Sequence, residues 1–105
     1  MIKRTVNKKL LDQSRSWACV IDGTIDGTAA HHVQSVGSRG PDIVDNLMPL
    51  NRRWHVGNGD REKQCVHKIG LRQFAEDHPE VRRWLLDHGW EFCDIFKRWF
   101  RVWDE

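Results

Sequence analysis

The stretch from Thr28 to His55, TAAHHVQSVGSRGPDIVDNLMPLNRRWH, decides how this chain is read. It opens near two adjacent histidines, His31 and His32, and closes on a third, His55. Thr28–Val33 is short enough for a strand. Neighbours on a strand point to opposite faces, so His31 and His32 cannot serve one purpose identically. One can face a metal ion while the other meets a substrate from the opposite side. A neutral imidazole is a good ligand for a divalent transition metal, and a second near its reference pKa is a good general base. His67 brings a further imidazole twelve positions after His55.

Working outward, Trp17–Ile21 (WACVI) is rich in β-formers and runs into the turn signal Asp22-Gly23, with a second at Asp26-Gly27. This pattern predicts a hairpin of 17–21 with 28–33, joined by an irregular connection. Residues 34–45 contain Gly37, Gly40 and Pro41 and read as a loop. Asp45 reads as the N-cap of a helix through Asn46–Leu50, with Pro49 in its first turn, continuing through Arg52, Arg53 and Trp54 to His55. Gly57-Asn58-Gly59 interrupts it. A second helical stretch is expected from about Cys65, carrying Ile69, Leu71, Phe74 and Ala75. A third is expected over Pro79–His88, with Val81, Trp84 and Leu85 on one face and Gly89 as its stop. In the tail Trp90–Trp103, the residues Phe92, Phe96, Trp99 and Trp103 fit a helical stripe, while the aromatic density also suits a strand. These aromatics are expected in the core.

A chain of 105 residues has room for one domain with one modest core. Residues 1–16 read as an N-terminal arm or short helix, and 17–105 as the single domain. The balance of 17 Lys+Arg against 15 Asp+Glu leaves a formal charge of +2, which excludes a uniformly polycationic nucleic-acid binder. No apolar run is long enough for a transmembrane helix, and no apolar signal core follows the basic start MIKRTVNKK. Cys19, Cys65 and Cys93 form no CxxC pair and read as reduced thiols of a cytoplasmic protein. His78 and His88 have no partner pattern and read as surface or core residues.

The run Ala30-His31-His32, the loop Gly37-Ser38-Arg39-Gly40-Pro41-Asp42, the segment Asp45-Asn46-Leu47-Met48-Pro49-Leu50 and His55 together resemble the HNH endonuclease motif. Thirteen residues separate His32 from Asn46 and eight separate Asn46 from His55, a good match to that signature. His67–Phe74 and Trp84–Phe92 resemble segments that follow the motif in small phage and bacterial relatives. The resemblance covers roughly residues 17 to 100. It implies an α+β fold: a ββα-metal finger, a β-hairpin plus a helix, with additional C-terminal helices.

It also implies roles. His31 takes a metal-binding position just before the general base, and His32 takes the base. Asn46 matches the asparagine that holds the base-bearing strand by hydrogen bonds, its amide offering both donor and acceptor. His55 matches a metal ligand on the helix, and His67 best matches the last histidine ligand. Eleven residues part His55 from His67 where three are usual, so Asn58, Asp60 or water are alternative donors. Asn51 and Trp54 occupy positions where relatives often carry zinc-knuckle cysteines, so a structural zinc is not implied. The cofactor implied is one divalent ion, whether Mg, Mn, Ni or Zn. Arg39, Arg52 and Arg53 are the natural phosphate contacts. The function implied is metal-dependent hydrolysis of DNA phosphodiester bonds by a cytoplasmic enzyme, bacterial or phage-encoded. A phage packaging or recombination protein is a possible partner, no membrane is involved, and the oligomeric state is open. The alternative is a nucleic-acid-binding module of the same fold that has lost cleavage.

Overall fold

Leu47-Met48-Pro49-Leu50 is buried residue after residue. Such a run must be covered on both faces, a demand that a core strand meets and an amphipathic surface helix does not. In the computed structural model, which describes residues 4–57 and 64–103, this run lies in strand β2 (Leu47–Asn51). It pairs antiparallel with β1 (Thr28–His32), placing Ala30 opposite Pro49, His31 opposite Met48 and His32 opposite Leu47.

The helix expected from Asp45 is therefore displaced. Val44–Asn46 is a short 3-10 turn, Pro49 lies within a strand, and helix α2 is confined to Arg52–His55. Asn51 caps it, its side chain accepting from the Arg53 N–H at 3.2 Å. Pro49 is tolerated because its carbonyl accepts from Val20 N–H (3.0 Å), away from β1. On a strand the N and C=O of one residue point the same way, so its missing donor removes no ladder bond.

Trp17–Ile21 is not a strand. Gly23 N–H returns to Cys19 O (2.9 Å) and Cys19 N–H reaches Thr24 O (2.8 Å), so the Asp22-Gly23 turn folds this segment on itself. The buried apolar run of β2 takes the place beside β1 instead. Ahead of it, Asn7 caps helix α1 (Lys8–Ser14), accepting from Leu10 N–H at 3.0 Å.

Helix α3 (Val66–Asp77) is kinked at Gly70 (φ 83°), and α4 (Pro79–Asp87) starts on Pro79. The tail forms a hairpin, β3 (Glu91–Cys93) with β4 (Arg98–Phe100), in which Phe92 faces Trp99. The helical stripe does not form there, and Phe96, expected in the core, is 71% exposed. The core gathers Met48 and Leu50 of β2, Trp54 of α2, Phe74 of α3, Val81 and Leu85 of α4, and Trp90. The architecture is mixed α+β with two small antiparallel sheets. Among the described residues no helix is long and apolar enough to cross a membrane.

The long connection between β1 and β2 is closed by Asn46, which is fully buried. Its Oδ1 accepts from Gln34 N–H (2.7 Å), and its Nδ2 donates to Gln34 O (3.1 Å) and Pro41 O (3.0 Å). Gly40 lies in the same closure, where a Cβ would stand 1.7 Å from Gln34 O. Gly40→Ala is expected to destabilise the protein by about 3 kcal/mol, the upper end for overpacking. Asn46→Ala leaves one N–H and two carbonyls without this partner and is expected to cost at least about 3 kcal/mol. Urea unfolding checks both against Gly37→Ala, whose Cβ would meet only Ser35 Oγ at 4.0 Å; comparable loss in all three would refute the closure.

Candidate functional site

Strand alternation sends the two adjacent histidines of β1 into different surroundings. His31 joins His55, the last residue of α2, and His67, in the first turn of α3. The ring centroids are 5.1 Å apart for His31–His55, 5.2 Å for His31–His67 and 4.8 Å for His55–His67. One nitrogen from each ring lies within 4.8 Å of the others. The chain thus returns His67 to the other two across the long interval after His55. Asn58 and Asp60, the alternative donors, lie outside the described residues.

Charge explains what this cluster can hold. Burial pushes His31 down to about 3, helped by the charges of His55, His67 and His32. His55 is pushed down to about 4, by burial first and then by His67 and His32. Imidazoles this close resist becoming cationic together. At neutral pH His31 and His55 therefore present lone pairs, the form in which imidazole ligates a metal. His67 is exposed, so the cluster opens to solvent on its side. Three imidazole nitrogen donors with an open side fit a divalent ion that keeps positions for water or substrate.

His32 faces a carboxylate. Its Nε2 lies 2.8 Å from Asp42 Oδ1, and the Asp42 side chain is fully buried. Asp42 also accepts from Asn7 N–H (2.9 Å) and is ion-paired with the Arg4 guanidinium. Arg4 Nε donates to Gly40 O (2.8 Å), and Asp42 N–H donates to Thr5 O (2.8 Å). Burial alone would raise the Asp42 carboxyl, but the Asn7 N–H, the His32 hydrogen bond and the Arg4 charge hold it below the ordinary range. Residues 4–7 are thus built into the site.

Sequence reasoning assigned Asp42 and Arg4 no role. Asp42 reads locally as a loop residue after Gly40-Pro41, and no short-range pattern links it to an arginine 38 positions away. Asn46 meets backbone groups on both sides of the loop, so it positions the end of β1 and touches neither imidazole set. Arg52 and Arg53 are exposed on α2, the helix that carries His55. Arg39 is exposed on the loop in left-handed backbone (φ 64°). Asn51 and Trp54 tie α2 to the preceding turn: Asn51 Nδ2 donates to Asp26 O (2.9 Å) and Trp54 Nε1 to Asp22 Oδ2 (3.1 Å). His78 packs on Trp54 and Phe74, and His88 stacks on Trp84.

The lowered values at His31 and His55 fix the sign of a pH dependence. Below the ordinary histidine value of 6.5 the unfolded chain binds protons that the metal-free folded protein refuses until about 4 and about 3. Stability is therefore full above about pH 6.5 and falls as the pH drops toward 4. Asp42 titrates below its ordinary 3.8 and does not contribute in this window. The urea midpoint of the metal-free protein is expected to fall between pH 7.5 and 5, and the slope to flatten in the His31→Ala/His55→Ala double variant. An equal slope in both proteins contradicts this account.

No family model, no curated protein and no solved structure matches this chain, so its function is read from the residues of this site.

Proposed function

We propose that this protein is a metal-dependent DNA endonuclease, a ββα-metal finger of the HNH type with β1, β2 and α2 as its core. One observation carries the reading. Adjacent histidines of a single strand divide between a three-nitrogen donor set and a buried carboxylate. A structural histidine cluster has no need of the second half, and a surface histidine has no need of either.

In this reading His31, His55 and His67 hold the ion. A divalent ion bound there supplies positive charge that stabilises the phosphate and the leaving 3′-oxygen. His32 accepts a proton from the attacking water. Its strand end is held in place by Asn46, whose amide grips Gln34, two residues beyond the base. Exposed Arg52 and Arg53 lie on the helix of His55, where their guanidinium groups can pair with flanking phosphates, and Arg39 serves from the loop. Two surface clefts, one lined by Arg72, Phe92 and Trp99 and one by Val20, Arg83 and Trp84, include none of these histidines.

Plasmid nicking with Mg, Mn, Ni and Zn tests the reading. Wild type is expected to nick with at least one of them. His32→Ala keeps the bound ion and loses roughly 100-fold or more of the rate, whereas His55→Ala loses both ion and cleavage. Wild-type protein that is inert with every metal, yet still shifts DNA in a gel, would instead be a binding module on the same fold.

A further inference from the structure

We infer that Asp42 is a positioning residue for His32: its buried carboxylate accepts a hydrogen bond from Nε2–H and leaves Nδ1 as the nitrogen that takes a proton from water. This rests on the reading of His32 as the base of a nuclease.

Two groups compete for Nε2, the Asp42 carboxylate at 2.8 Å and Arg4 Nη2 at 3.4 Å. They demand opposite tautomers. A guanidinium only donates, so it can bond Nε2 only if that nitrogen carries the lone pair. An ionised carboxylate only accepts, so it requires Nε2–H. The shorter, charge-assisted contact prevails, since 3.4 Å is at the edge of a hydrogen bond and 2.8 Å is near the optimum.

The carboxylate is fixed independently of His32. Asn7 N–H meets its Oδ2, Arg4 pairs with its Oδ1, and its own backbone N–H is held by Thr5 O. Arg4 is itself anchored on Gly40 O. With Arg4 and Asn7 already meeting its charge, Asp42 does not need the imidazole in order to be satisfied. The imidazole, on a strand end and partly exposed, is the partner that gains an orientation. A carboxylate behind an imidazole selects its tautomer and stabilises the imidazolium that forms during catalysis.

The step balances without any redox change. The water oxygen forms a bond to phosphorus and the P–O3′ bond breaks. The water's proton passes to Nδ1 of His32 and from there to solvent, and the 3′-oxygen takes a proton from solvent. Asp42 stays ionised throughout.

The test reads the tautomer directly. Two-bond 15N–1H spectra of the protein with one equivalent of Zn at pH 8, with His32 assigned by its absence in His32→Ala, are expected to show the Nε2–H form. In Asp42→Asn the same ring is expected to shift toward Nδ1–H, because the amide can donate to Nε2. Nicking by that variant is expected to fall roughly 100-fold or more in kcat, with KM for the plasmid and the bound ion unchanged. An Nδ1–H ring in wild type overturns the inference, and so does Asp42→Asn with unaltered tautomer and kcat. The wild-type spectrum decides even if the variant fails to fold. It also decides if wild type cleaves nothing, in which case the nuclease reading falls on the nicking assay alone.

Discussion

The register of β1 against β2 is the constraint on which the rest of the site depends. His31 stands opposite Met48 and His32 opposite Leu47, both fully buried. A slip of one residue would exchange the faces of the two imidazoles, turning the would-be base toward His55 and His67. Two features prevent it. Met48 and Leu50 are packed in the core with Trp54 and Phe74, and a slip would turn both out of it. Immediately beyond the pairing, Val33 N–H bonds Asn46 O and the Asn46 amide grips Gln34, so the strand end cannot shift without breaking a buried clamp. The burial that stabilises the fold also decides which histidine faces which chemistry.

The two faces so created are electrostatic opposites. On one, three imidazoles stand together, and burial with mutual repulsion keeps His31 and His55 uncharged. On the other, one imidazole meets an anion that is kept ionised by Arg4 and Asn7 in a fully buried position. The first environment suits a cation brought from solution. The second suits a cation made transiently by proton transfer, since an imidazolium at His32 finds its counter-charge 2.8 Å away. Identical side chains one residue apart acquire different chemistry from their neighbours alone.

The strand expected at 28–33 is β1, and the intervals between His32, Asn46 and His55 carry the resemblance to the HNH motif; the structure brings His67 beside His31 and His55 despite the longer gap. Helix α4 was legible in the sequence, with Pro79 at its start, Val81 and Leu85 buried and Gly89 in left-handed backbone after its end. The misread elements are those where a local signal met a stronger tertiary one. Asp45 and Pro49 look like a helix start, but Leu47–Leu50 is covered on both faces and becomes a strand. Trp17–Ile21 has strand-forming residues, yet a turn bends it back. Phe96 fits a helical stripe and instead sits at the turn of a hairpin. Asp42 and Arg4 were illegible for another reason: their meaning is a contact 38 positions apart, and neither carries a local pattern.

That long-range contact changes what the N-terminal segment is. A buried ion pair adds little net stability, because desolvation cancels much of its attraction, whereas removing one partner strands the other at a cost of about 3–5 kcal/mol. Arg4 therefore matters less as a source of stability than as the group that allows Asp42 to be buried and charged. Thr5 and Asn7 fix the same residue through main-chain hydrogen bonds. The carboxylate behind His32 is thus held from the N-terminal side, while His55 and His67 are held by α2 and α3, which pack on the core through Trp54 and Phe74. The two halves join at β1, where the chain passes from His31 to His32. If the chain is the nuclease proposed above, that two-residue junction would set the separation between its base and its donor set.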